Sequence, residues 1–261
     1  MNCSMKLQIQ REDAVEKQNS GGNVMSDVKT TIMDLEDIKK VCSSLDYSRA
    51  LVYNATEEMV LQACKDARDM KYAAVPVFPT YIPVVARELQ GTDIAPQLVV
   101  GFPSGGASSI IKQKEADQGI RDGAKEIDMV INVGRLLGKD YTYVENDIRG
   151  VVNIAHEAGV TVKVIIETGF LQDSDKIEAV KIITAAGADF VKTCTGFAEG
   201  KATLHDIALL KRCANGQIKV KASGGVTSLE DGLAFMKAGA DRVAGRTPIT
   251  DQLHAMGIVS L

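Results

Sequence analysis

The fold class this chain predicts is α/β, a single-domain (β/α)8 TIM barrel, and three observations predict it. Short apolar runs alternate with amphipathic helical segments about eight times over roughly 215 residues. The runs lack a strict in–out alternation, as parallel strands covered on both faces require. A helix-to-strand turn recurs as Asp122-Gly123-Ala124, Ala186-Gly187-Ala188-Asp189 and Ala238-Gly239-Ala240-Asp241, its glycine suited to a left-handed helix end. A doubly wound sheet is built from the same units but concentrates its chemistry at one switch point. Here polar residues are scattered over the ends of many strands, which only a closed barrel gathers on one face.

Residues 1–28 are polar, with Ser20-Gly21-Gly22-Asn23 in the middle. They are expected to form a disordered or weakly ordered tail ahead of a barrel over 29–261. Asp34 caps a short first helix. Ser44-Leu45-Asp46-Tyr47-Ser48 is the candidate first strand. Thr56 followed by Glu57-Glu58 opens an amphipathic helix to Met70, with Val60, Leu61, Cys64 and Ala67 at helical spacing. The second strand covers 72–78, and Pro76 inside it calls for a bulge or an early end. A helix follows over 81–89. The third strand, 97–103, empties into Ser104-Gly105-Gly106-Ala107-Ser108-Ser109, and Ser108 or Ser109 caps the helix that runs to Arg121. Strands are then expected at 126–131, 160–167, 190–192, 218–221 and 241–244, separated by helices at 143–158, 173–185, 203–213 and 228–237.

A net charge of −4 without a basic tract argues against nucleic acid and acidic membranes as partners. The five cysteines (Cys3, Cys42, Cys64, Cys194, Cys213) are odd in number and widely spaced. That fits no disulfide framework and a reducing, cytoplasmic compartment. No apolar run is long enough to span a membrane, and the N-terminus lacks a secretion signal. His156, His205 and His254 fall in helical or tail segments, none at ligand spacing from a cysteine, so no metal site is expected.

The chemistry lies where charged residues interrupt or end apolar strands: Asp46, Asp128 with Asn132, Lys163 with Glu167, Lys192, and Lys219 with Lys221. Lys192 ends the run Phe190-Val191 and opens into Thr193-Cys194-Thr195-Gly196. A lysine nucleophile must be unprotonated, and burial and a neighbouring ammonium both favour that form. Lys221, nearer than Lys219 to the following Ser223-Gly224-Gly225 loop, supplies the second amine, and Asp128 a counter-charge and proton carrier. Such a set suits imine chemistry on a carbonyl; the bland alternative is a buried ion-pair network that fills the barrel. Gly224, Gly225, Gly245 and Arg246 follow strands seven and eight, where barrels bind phosphate.

Four stretches resemble the class I deoxyribose-phosphate aldolases: Glu126-Ile127-Asp128-Met129-Val130-Ile131-Asn132, Val162-Lys163-Val164-Ile165-Ile166-Glu167-Thr168, Asp189-Phe190-Val191-Lys192-Thr193 and Val220-Lys221-Ala222-Ser223-Gly224-Gly225-Val226. The resemblance runs from about Leu45 to Thr247. It implies a Schiff base on Lys192, a pKa-lowering role for Lys221 and proton transfer by Asp128. It implies substrate contacts from Asp46, Lys163, Thr193 and Gly196, besides the phosphate loops. It further implies no metal, no organic cofactor, a small phosphorylated sugar and acetaldehyde as partners, and a homodimer or homotetramer. The reaction implied is cleavage of 2-deoxy-D-ribose 5-phosphate to D-glyceraldehyde 3-phosphate and acetaldehyde. The chain departs from the family at Tyr47-Ser48, where a His-Thr pair is usual, at Pro76 in place of cysteine, and at Arg246-Thr247 in place of two serines. Two alternatives stay open: the same imine mechanism on another aldehyde acceptor, and a non-catalytic barrel retained as a binding or scaffold protein.

Overall fold

The structure, a computed structural model, describes residues 33–261. The tail assigned to 1–28, and the barrel's expected start at 29–32, lie outside the described residues. The remainder is a closed barrel of eight parallel strands in chain order: β1 Leu45–Tyr47, β2 Ala74–Val77, β3 Ala95–Val100, β4 Glu126–Val130, β5 Thr161–Ile165, β6 Phe190–Lys192, β7 Lys219–Ser223 and β8 Arg242–Gly245. The helices are α1 Leu35–Ser43, α2 Glu57–Met70, α3 Ile82–Glu88, α4 Ser109–Arg121, α5 Val133–Leu137, α6 Tyr141–Glu157, α7 Asp173–Ala186, α8 Leu204–Ala214, α9 Leu229–Lys237 and α10 Thr247–Ala255.

Local chemistry sets the helix ends. Asp34, Thr56, Thr203 and Ser228 each accept a hydrogen bond from the backbone N–H three residues on, satisfying donors that the first turn leaves free. Ser108 caps α4 in position but not through its side chain. At the recurrent turns Gly123, Gly187 and Gly239 take φ of +106°, +84° and +117°, a conformation that costs glycine least. Apolar stripes such as Val144, Ile148, Val151 and Ala155 of α6 are buried against the strands, and this continuous layer is the main hydrophobic core.

Four expectations are corrected. Pro76 sits mid-strand in β2, in register with Gln97, without a bulge; on its other side the ladder to β1 stops at Ala74. Asn132 is not a strand end but the cap of α5, accepting from the Arg135 N–H at 3.0 Å. Strand β5 stops at Ile165, short of the expected end at 167, and Glu167 takes a left-handed φ of +52°. Helix α10 was not anticipated; Pro248 stands in its first turn, where proline is well placed. Its Ile249 and Leu253 are fully buried, and Thr250 bonds the Tyr72 hydroxyl at 2.9 Å.

One buried pair ties the helical layer to the sheet. Lys112 of α4 and Asp147 of α6 are both completely buried at 2.5 Å, and the Lys112 ammonium also donates to the Val130 carbonyl at 2.9 Å. It anchors the end of β4 two residues beyond Asp128.

Candidate active site

Register brings the charged strand residues together. Asp128 lies level with Lys163 across β4 and β5, and Lys192 level with Lys221 across β6 and β7. Parallel strands place such partners on the same face, here the barrel interior. The Asp128 Oδ2 accepts from Lys192 and from Lys221, each at 2.6 Å. Lys163 approaches Asp128 Oδ1 at 3.4 Å and Asp46 Oδ2 at 3.8 Å, and Lys221 also contacts Asp46. All five side chains are buried, Lys192 the least, at 3 % exposure.

Burial alone would raise the Asp128 carboxyl, but Lys192, Lys221 and Lys163 outweigh it and hold it far below the usual carboxylate range. Asp46 is depressed in the same way, burial being overcome by Lys221, Arg242 and Lys163. Burial pulls the Lys221 ammonium down to about 8, against the opposing pull of Asp128 and Asp46. The interior therefore holds carboxylates kept ionised by their lysine neighbours, beside a lysine whose ammonium is weakened by burial.

Lys192 stands at the edge of a cavity of about 280 Å³ on the C-terminal face. Its walls include Gly196, Gly224, Gly225, Gly245 and Arg246, as expected, together with Lys201, which sequence reasoning missed. Among the described residues no aspartate or glutamate lines it, against three cations, Lys192, Lys201 and Arg246. Gly224 and Gly225 have φ of +89° and +88°, and a Cβ on Gly224 would press on Cys194 Cβ at 3.1 Å. The Arg246 guanidinium is exposed, 5.9 Å above the Phe197 ring. Larger hollows of about 620 and 470 Å³ lie at the opposite end of the barrel, among Arg68, Lys71 and Glu126 and among Lys40 and Lys219, and both reach Arg242.

Three expected substrate contacts sit elsewhere. The Thr193 hydroxyl is consumed across the strands, donating to the Ser223 carbonyl at 2.8 Å and accepting from its N–H at 2.9 Å. Asp46 and Lys163 lie below the cavity, fully buried in the ion-pair cluster. Lys219, the other lysine weighed on β7, is exposed at the N-terminal end of the strand. One further residue, Arg242, was not singled out, and one, Glu167, was misplaced. Arg242 at the start of β8 grips Asp46 and Glu126. Glu167 had been placed on a strand; instead its Oε2 accepts from the Thr195 N–H at 3.0 Å and hydroxyl at 2.5 Å, fixing the loop that follows Lys192. Cys194 is buried, bonds Thr168 and has its thiol pushed up to about 11 by burial, so it is no nucleophile. Among the described residues no cluster of histidine, cysteine or acid side chains is arranged to hold a metal, and no helix is long and apolar enough to cross a membrane.

An amine at the edge of a cavity, with a second amine and a carboxylate beside it to move protons, is the equipment of a barrel enzyme working through lysine chemistry. A family model described as DeoC/LacD family aldolase matches residues 28–261. The chain belongs to that family. It is 47 % identical over 195 residues to a deoxyribose-phosphate aldolase from Clostridium tetani, spanning 75 % of this chain and 90 % of that one. To a deoxyribose-phosphate aldolase from Streptococcus sanguinis it is 46 % identical over 189 residues, covering 72 % and 85 %. A tetrameric deoxyribose phosphate aldolase structure from Aeropyrum pernix superposes with a TM-score of 0.73 at 29 % identity, over 84 % of this chain and 96 % of that one.

Proposed function

We propose that this chain is a class I, Schiff-base aldolase that cleaves 2-deoxy-D-ribose 5-phosphate to D-glyceraldehyde 3-phosphate and acetaldehyde. The observation that carries the reading is Lys192: a nearly buried amine lining a cavity free of acids, 2.6 Å from a carboxylate that also holds Lys221. The similarity to proteins named for this reaction supports the substrate.

In the unprotonated state Lys192 attacks the C1 aldehyde, and the carbinolamine loses water to give an iminium. A base removes the C3 hydroxyl proton, the C2–C3 bond breaks, and its electron pair passes to the iminium. The phosphorylated half leaves as an aldehyde; the remaining enamine takes a proton on C2 and is hydrolysed to acetaldehyde, freeing the lysine. Asp128 and Lys221 are the proton carriers of these steps, since Asp128 Oδ2 touches both ammonium groups. Asp46 and Lys163 act from beneath by holding that pair. Lys201, Arg246 and the glycine loops after β7 and β8 receive the phosphate, where a doubly charged anion meets cations and no acid. Homodimers or homotetramers are the expected assembly, in line with the tetramer described for the Aeropyrum pernix protein.

Mass mapping after borohydride reduction tests the mechanism: an adduct on Lys192 from both acetaldehyde and deoxyribose 5-phosphate is expected, and no adduct on folded protein would overturn it. Arg246→Ala tests the phosphate end. It should raise KM for the phosphorylated sugar by about 10- to 100-fold and leave the rate of acetaldehyde trapping unchanged. An unaltered KM would remove Arg246 from the phosphate site. Arg246 also favours one second reading, an aldehyde acceptor carrying a different anion, which a substrate panel separates from the first.

A further inference from the structure

The charges inside the barrel do not balance. Asp46 of β1, Glu126 and Asp128 of β4 supply three carboxylates; Lys163 of β5, Lys192 of β6, Lys221 of β7 and Arg242 of β8 supply four cations. Every one touches at least one opposite charge of the set. Strands β2 and β3 add no charge, Gln97 being the buried polar side chain there. Nearby charges outside the set have other surroundings. Lys219 is exposed at the N-terminal end of β7 with its ammonium 5.4 Å from the Phe190 ring; Asp241 is held by Lys211 at 2.8 Å; Lys40 of α1 is exposed at the barrel floor.

One of the four cations cannot lose its proton. Arg242 is a guanidinium, and its pKa is pushed still further up, burial being outweighed by Asp46 and Glu126. Its Nε donates to Asp46 Oδ1 at 2.9 Å, its Nη1 to Glu126 Oε1 at 3.2 Å and its Nη2 to Glu126 Oε2 at 2.9 Å. The one guanidinium bridges two of the three carboxylates but cancels a single negative charge, so two negative charges remain for three lysines. The set is neutral when one of the three lysines is unprotonated.

We propose that Arg242 is a positioning residue of the reaction: as the fixed surplus cation at the barrel floor, it forces one lysine of the cluster to be unprotonated at neutral pH. Arg242 touches no substrate and does not line the Lys192 cavity; it acts through Asp46 and Glu126. The proposal rests on the aldolase reading above and explains why a lysine embedded among carboxylates is still a nucleophile.

The test measures the rate at which Lys192 is trapped by acetaldehyde and a hydride reductant, mapped by peptide mass, across a pH series. Arg242→Met removes the surplus. Its rate profile should keep its shape with the acid limb moved up by about one unit or more, giving roughly a tenfold loss at neutral pH that alkaline pH restores. Arg242→Lys, keeping a cation, should stay closer to the unaltered protein. Glu126→Gln, which leaves four cations against two carboxylates, should move the limb down. Opposite shifts from R242M and E126Q are the expected result, since general damage to the floor would lower both rates at every pH. Shifts in the same direction, or none, in variants folded by circular dichroism would overturn the proposal. If R242M does not fold, the sign of the E126Q shift decides. Absence of a Lys192 adduct in the unaltered protein defeats the aldolase reading, and this one with it, before any variant is compared.

Discussion

Replacing Lys192 with alanine is expected to abolish turnover while leaving the barrel folded. Activity on deoxyribose 5-phosphate should fall by on the order of 10⁴- to 10⁶-fold, the scale seen when a covalent nucleophile is lost. No other side chain takes its place. Lys221 is fully buried and faces Asp46 and Asp128, and Cys194 carries a thiol held protonated by burial. The fold survives because Asp128 keeps Lys221 at 2.6 Å and Lys163 at 3.4 Å, so no buried carboxylate is stranded. Steady-state assays, circular dichroism and intact mass after reductive trapping check the three parts of this expectation. Appreciable turnover in folded Lys192→Ala, or an adduct on another lysine, would move the nucleophile elsewhere.

The largest effect on stability is expected from the Lys112–Asp147 pair, away from the chemistry. Both side chains are completely buried and lie 2.5 Å apart. Lys112→Met or Asp147→Leu alone leaves one charge buried without its partner, at a cost of about 3–5 kcal/mol. The double variant removes both charges and should recover most of that loss, falling short by about 1 kcal/mol for the Val130 carbonyl that loses its donor. Denaturant midpoints of the four proteins give the cycle. Additive single effects, with no recovery in the double variant, would mean that the two residues contribute by packing and not as a pair. The singles should also lower activity, because the Val130 carbonyl held by Lys112 lies two residues from Asp128.

The sites legible in the sequence are those where a charge interrupts an apolar strand. Asp128, Lys192 and Lys221 stand out because each breaks a run that burial would otherwise keep apolar, and the register of neighbouring strands does bring them together. Helix ends were readable for a similar local reason, as Thr56, Thr203 and Ser228 precede acidic first turns. What escaped depends on partners far along the chain. Arg242 falls inside the expected eighth strand, 241–244, with nothing local to mark it, and only barrel closure puts it against Asp46 and Glu126. Lys112 and Asp147 each read as an ordinary polar helix position, since nothing local says that α4 and α6 bury those faces against each other. Glu167 was misread because alternation was extended two residues past the end of β5, where the backbone turns left-handed. Thr193 was assigned to the substrate through the family resemblance, whereas in the structure its hydroxyl donates to the Ser223 carbonyl of the neighbouring strand.

The seam of the barrel ties the making of the site to the making of the fold. Strand β1 shares one register pair with β2, its neighbour in sequence, but three with β8, and Asp46 is bonded to Arg242 across 196 residues of chain. Contacts of such sequence separation are the slow ones to form. During synthesis the first strand has almost no partner until the last has been made. Until that moment Asp46 lacks its guanidinium, and the proposed charge arrangement around the lysines is incomplete. On the proposed reading, a half-made barrel displays Lys192 and its neighbours without the full set of charges, and that set is complete only once β8 has closed the sheet. The same coupling gives β8, through Arg242, a part in the proposed reaction although Arg242 does not line the cavity.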